Sequence, residues 1–200
     1  MSSPSRSRST DNRFYGVVEA LVESNADPEQ EGRIKVSYPW FSGEMVSEWC
    51  RVAQPYAGPG YGAYFVPEVG DEVLVAFVHG DMRLPVVVGG LYNGQDKPPV
   101  ARNGQDPKYI QTKAGHKILM EDASGQQKIE IIDASGRNSV VIDTQANRIT
   151  IQGHADVTVE AATGRLVLRG ATGVEISSDA TVDVTATGAV TVSGATIDLN

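Results

Sequence analysis

Residues 181–200 read T-V-D-V-T-A-T-G-A-V-T-V-S-G-A-T-I-D-L-N, and their alternation of apolar residues with Thr, Asp and Ser decides the fold class of this half of the chain. A period of two puts one face of a strand in a core and the other in water. Working back from this stretch, apolar pairs recur at Ile149/Ile151, Val157/Val159, Leu166/Leu168, Val174/Ile176, Val182/Val184, Val190/Val192 and Ile197/Leu199, at steps of 8, 9, 8, 8, 8 and 7 residues. A short fixed period is the mark of a repeat architecture that stacks one small unit along an axis. Tyr109 is the last aromatic residue and Pro107 the last proline. Two Val- or Ile-sized side chains per strand enclose an interior too narrow for Phe or Trp, which accounts for their absence.

Such strands can close in two ways. One chain can coil on itself, with three units of about eight residues forming a triangular coil of roughly 24, but the array would then hold only about three coils. Three chains can instead wind about one axis, each supplying one face of a triangular prism per level, which leaves no strand edge free along the shaft. The second is the expectation here. It is an intertwined trimeric β-helix over residues 127–200. Its expected core is the set of pairs from Ile149/Ile151 to Val190/Val192, facing the axis.

Composition narrows the partners. A net charge of −8 argues against nucleic acid, because phosphate contacts need a basic face. The N-terminal M-S-S-P-S-R-S-R-S-T lacks the apolar core of a signal peptide and is expected to be an arm over residues 1–12. No run approaches the 18 or more apolar residues of a membrane span, so any action on a membrane is expected to be mechanical. Cys50 is the only cysteine, which excludes an intrachain disulfide and suits synthesis in the cytoplasm.

The first hundred residues follow another plan. Strand patterns lie at 14–22, 33–38, 46–53, 72–78 and 86–91, with no helical period between them. The turn N-A-D-P-E-Q-E-G, set by Pro28 and closed by Gly32, joins the first two. Five short strands over residues 13–98 predict a small closed barrel of the oligonucleotide/oligosaccharide-binding (OB) type. Residues 99–126 are expected to be linker and neck. The fold class is therefore all-β, an OB-type barrel followed by a β-prism.

Several strings then become informative together. D-P-E-Q-E-G-R-I-K-V-S-Y-P-W, S-E-W-C-R-V-A-Q-P-Y-A-G-P-G-Y-G, F-V-P-E-V-G-D-E-V-L-V-A-F-V-H-G-D and P-V-V-V-G-G-L-Y-N-G resemble the barrel domain of contractile-tail spike proteins. The family includes phage baseplate assembly proteins V and the valine-glycine-repeat spikes of type VI secretion. I-Q-T-K-A-G-H-K-I-L-M-E-D is similar to the strand pair that leads from barrel to shaft in this family. The resemblance runs in family order over about residues 14–200. It implies a homotrimeric central spike, assembled into the baseplate of a phage or contractile particle, that punctures the envelope of a target cell on transient contact. It also implies a hub protein at the N-terminal end and a conical tip protein of the proline-alanine-alanine-arginine (PAAR) type at the other, seated on Thr196, Ile197, Asp198, Leu199 and Asn200. The apical His-x-His iron motif of some relatives has no counterpart after His154.

Chemical readings are weaker. Glu68, Asp71 and Glu72 could form a carboxylate pair for glycoside hydrolysis, but Pro67 and Gly70 mark them as turn acids. A-G-P-G-Y-G lacks the Lys and Ser/Thr of a phosphate loop and is expected to be a plain loop. His79, His116 and His154 have no ligand spacing, though trimer symmetry can bring three copies of His154 to an axis. Trp40, Phe41, Trp49, Tyr61, Tyr64 and Phe65 exceed what so small a barrel can bury, so some belong to interfaces between barrels or with a hub. No catalytic, cofactor or metal residue is assigned. Two other readings are an adhesin shaft, which wants an aromatic-rich distal head, and a solenoid enzyme on cell-wall glycan, which wants carboxylates and aromatics along one face.

Overall fold

Strand β1, Val17–Ser24, shows the period of two directly: Ala20 and Val22 are buried while Val17, Glu19 and Leu21 face outward. The computed structural model describes residues 13–43, 45–99 and 107–198. They form two compact units divided between Pro107 and Lys108.

The first unit adds β2 (Lys35–Ser37), β3 (Arg51–Val52), β4 (Ala57–Gly58), β5 (Tyr61–Gly62), β6 (Glu72–Phe77) and β7 (Pro85–Gly90). Five strands hydrogen-bond in the order β2-β1-β6-β7-β3, antiparallel except for the β3–β7 pair. The two edges meet through Ile34 and Cys50, whose backbone amides each donate to the other's carbonyl at 3.0 and 2.7 Å. The sheet therefore closes into the five-stranded OB-type barrel expected. Its core alternates along each strand, with Ile34, Val36 and Tyr38 from the β2 region, Val73, Val75 and Phe77 from β6, and Val87 from β7. Burying each such side chain contributes about 1.5–3 kcal/mol.

Local chemistry sets the departures from the expected strands. The first strand starts at Val17 rather than Phe14, because the Phe14 ring stacks on Trp40 at 5.9 Å and meets Phe77 edge-on at 5.6 Å. A bulge between Val22 and Ser24 then bends β1, as barrel closure requires. The A-G-P-G-Y-G loop is instead a hairpin, β4 against β5, whose Pro59-Gly60 corner has Gly60 at φ 79°, the sign that a type II turn demands. In the 27–33 turn, the Asp27 carboxylate accepts hydrogen bonds from the amides of Glu29, Glu31 and Arg33 and from the Arg33 guanidinium at 2.9–3.2 Å. Those donors, the guanidinium first, hold its pKa well below the usual carboxylate range.

The second unit is an antiparallel meander in the order β12-β11-β10-β9-β8. Its strands are β8 (Lys108–Gln111), β9 (Lys117–Glu121), β10 (Lys128–Ile132), β11 (Ser139–Asp143) and β12 (Arg148–Gln152). The β8–β9 pair matches I-Q-T-K-A-G-H-K-I-L-M-E-D. Residues 128–152, expected within the intertwined shaft, instead pair inside the chain. Their connectors are tight turns that reverse it: D-A-S-G at 122–125 and again at 133–136, and T-Q-A-N at 144–147 with Asn147 at φ 47°. The Asp133 carboxylate braces one of them, accepting from the amides of Arg137 and Asn138 and from the Ser135 hydroxyl.

Beyond β12, the described residues 154–198 form no strand and every one is exposed. The expected shaft core is therefore not a core within the single chain. Val159, Leu168, Ile176 and Val192 are 65, 65, 70 and 69% exposed, and Val184 is 72% exposed. Their pair-mates Val157, Leu166, Val174, Val182 and Val190 are open to much the same degree, at 54 or 55%. Ile149 and Ile151, which belong to β12 rather than to the repeat, are likewise exposed. For the ten from Val157 to Val192 the physical reason is common: two apolar side chains on a segment without a strand neighbour have nothing of their own chain to pack against, whereas Ile149 and Ile151 sit on a paired strand whose apolar face nothing covers. A solenoid closed by one chain would have had to bury them all. The expected arm at 1–12, part of the linker (100–106), Leu199 and Asn200 lie outside the described residues.

Candidate functional site

The meander register sorts its side chains onto two unlike faces. On one, Ile110, Ile118, Ile131, Val140 and Ile151 are aligned opposite one another across all five strands. Beside that row run Met120, Ile129, Ile142 and Ile149. All nine are between 36 and 68% exposed in the single chain. The other face carries Glu121, Lys128, Asp143 and Arg148 in one row of alternating sign. There Lys128 pairs with Glu130 at 2.7 Å. The sheet thus turns its apolar side to solvent, the reverse of a finished domain. A monomer rarely leaves so continuous an apolar patch uncovered, and such patches mark interaction surfaces.

At one end of the apolar rows lies a groove of about 670 Å3, lined by Ile110, Ile118, Ile131, Val140, Ile151 and Val157 among others. Val157 extends the apolar surface into the repeat, where the exposed pairs from Val157/Val159 to Val190/Val192 follow it along the chain. Of the expected tip seat, Thr196, Ile197 and Asp198 are described, and all three are exposed.

The polar candidates go elsewhere. Asp71 closes its own turn, accepting from the Glu68 amide at 2.8 Å, and Glu72 accepts from the Asn93 side chain at 2.6 Å. These acids serve local geometry. Arg137 donates to His154 Nε2 at 3.1 Å, and a ring nitrogen facing a guanidinium does not suit an axial cation. His116 Nδ1 accepts from the Ala134 amide at 3.2 Å, and His79 occupies a left-handed turn at φ 51°. Cys50 is buried, its thiol pushed up by that burial.

Ten of the aromatics lie in three places. Phe14, Tyr38, Trp40, Phe41 and Phe77 form one cluster with neighbouring centroids 5.3–6.1 Å apart. Trp49 lies under the Lys35 ammonium at 5.3 Å. Tyr56, Tyr61, Tyr64 and Phe65 surround the β4–β5 hairpin and are exposed. Tyr56 is missing from the aromatics that sequence reasoning selects; the turn signal P-G at 59–60 between two tyrosines is the clue to it.

Comparison with known proteins agrees with the barrel. Residues 18–92 match the family described as the type VI secretion system/phage-baseplate injector OB domain. Over 153 residues the chain is 29% identical to the actin cross-linking toxin VgrG1 of Vibrio cholerae, covering 70% of this chain and 14% of that protein. It is 35% identical over 108 residues to the type VI secretion system spike protein VgrG3 of Vibrio cholerae, covering 49% of this chain and 11% of the relative. To the spike protein VgrG1a of Pseudomonas aeruginosa it is 31% identical over 128 residues, covering 56% and 20% respectively. The chain thus spans a fifth or less of each of these relatives.

Proposed function

Because this chain belongs to the baseplate and VgrG spike family, with the injector OB domain as its barrel, we propose that it is the structural central spike of a contractile particle. Three copies assemble. Their meander faces meet around one axis, and the repeats from Val157 onward wind into a triangular β-prism. The prism is driven through a target envelope when the particle contracts. Its role is mechanical and needs no catalytic residue.

The observation that carries this reading is the uncovered apolar face of β8–β12 running on into a repeat that has no partner in its own chain. A three-fold arrangement covers three such faces at once and pairs every strand edge along the shaft. It also gives Val159, Leu168, Ile176 and Val192 the cover that the single chain lacks. In this reading the barrel end joins a hub protein, with the β4–β5 aromatics as its contact. Thr196, Ile197, Asp198, Leu199 and Asn200 seat a PAAR-type tip protein. The chain is made in the cytoplasm and built into a baseplate there. Electron micrographs of the purified protein test the reading: a slender needle with three-fold symmetry supports it, and a small globular particle removes it.

A further inference from the structure

The meander already shows how this chain matches charges between neighbouring strands. Glu121, Lys128, Asp143 and Arg148 stand opposite one another in register, and their signs alternate strand by strand. Like charges at such positions destabilise a sheet and opposite charges support it. The alternation does not stop at β12. The next two repeat units read D-V-T-V-E at 156–160 and R-L-V-L-R at 165–169. Each flanks an apolar pair with two charges, acidic in the first unit and basic in the second.

Within the single chain these charges are idle. Asp156, Glu160, Arg165 and Arg169 are exposed, and none of the four joins an ion pair among the described residues. Later units carry no such complement: V-E-I-S at 174–177 and V-T-V-S at 190–193 have no basic residue. The match is confined to the first two units after the meander.

We propose that Asp156 and Glu160 of one chain pair with Arg165 and Arg169 of a second copy of this chain, forming a charge clamp that sets the register of the shaft where it begins. The inference rests on the three-chain reading above. In a prism wound by three chains, each turn carries a chain onto the next face and one level along the axis. The strand beside unit n on any face is therefore unit n+1 of a neighbouring chain. Both run in the same sense, so equivalent positions meet, Asp156 beside Arg165 and Glu160 beside Arg169. A slip by one unit would set acid beside acid and arginine beside arginine, or, in the other direction, Arg165 and Arg169 beside Thr181 and Thr185. The apolar pairs are nearly interchangeable from unit to unit, so they cannot themselves reject that slip. The clamp supplies the discrimination they lack.

Native mass spectrometry on full-length protein tests this with two charge-reversed chains, R165E/R169E and D156R/E160R. Each alone is expected to lose trimer relative to wild type. The loss should be larger at about 0.01 M salt, where the screening length is about 30 Å, than at about 1 M, where it is about 3 Å. Co-expressed, the two variants should recover mixed trimers, because two of the three contacts in a mixed trimer regain opposite signs. The fourfold variant D156R/E160R/R165E/R169E should assemble like wild type. Variants that trimerise as well as wild type, or a fourfold variant and a mixture that recover nothing, overturn the clamp. Pairing within one chain would leave the mixture unrescued. A wild-type protein that is itself monomeric overturns the three-chain reading instead, which keeps the two failures distinct.

Discussion

Ile131 of β10 stands directly opposite Val140 of β11, and both are open to solvent in the single chain. Ile118 and Ile151 prolong that row on either side across β9 and β12. An apolar row five strands wide is built by register, since a slip of one residue would put Glu130 and Val141 there instead. It has a purpose only if something apolar faces it.

Ile131→Asp should therefore prevent assembly, because three copies would bury unpaired like charges at a cost on the order of several kcal/mol per ion. Thr150→Asp, on the opposite face of the same sheet, should change assembly little. Native mass spectrometry of the two variants checks this. Equal behaviour would mean that the apolar face is not the interface.

Val184→Asp and Thr185→Asp apply the same test to the shaft. Adjacent residues of an alternating strand face opposite ways, so the first should displace or unravel the prism and the second should be nearly neutral. Melting curves that coincide for the two variants would contradict the inside/outside assignment of the repeat.

The barrel is legible in the sequence because its strands are long enough to alternate: Val73, Val75 and Phe77 on β6, and Ala20 and Val22 on β1, announce a core face by themselves. The β4–β5 hairpin is not, since two-residue strands carry no period and only its Pro59-Gly60 corner marks it. Ile149/Ile151 reads as the first repeat unit because its alternation is identical to that of Val157/Val159. What separates them is the connector. T-Q-A-N reverses the chain so that β12 pairs with β11, whereas the segment after Gln152 returns no strand to its neighbour. Alternation likewise marks Leu168, Ile176 and Val192 as core residues without saying which chain covers them, and their own does not. The nine-residue apolar face depends on register across five strands, which no single stretch of sequence displays.

Tyr38 gives a test of the barrel core. Its hydroxyl is buried with no hydrogen-bond partner among the described residues, and burial pushes its pKa up to about 12. Replacing an unsatisfied buried group by an apolar one of the same shape is neutral or stabilising, by up to about 1–3 kcal/mol. Tyr38→Phe should thus leave the melting temperature of the barrel equal or higher. A clear fall would reveal a partner for the hydroxyl.

Asp27 gives the barrel a pH dependence of known sign. Its folded-state pKa is held below the unfolded value of about 3.9. The unfolded chain therefore binds more protons across that interval, and stability falls as pH drops through it. The contribution is full above about pH 5 and lost in strong acid. Asp27→Asn should be less stable than wild type at pH 7, and the difference should shrink towards pH 2 in urea unfolding followed by tryptophan fluorescence. A difference that stays constant with pH would contradict the assignment.

Three chains sharing one apolar interior is the central claim, and the mass of the intact assembly measures it most directly. Native mass spectrometry of the full-length protein should return three times the 21.3 kDa chain. A species at 21.3 kDa, with the face built on Ile131 and Val140 left open to water, would contradict it.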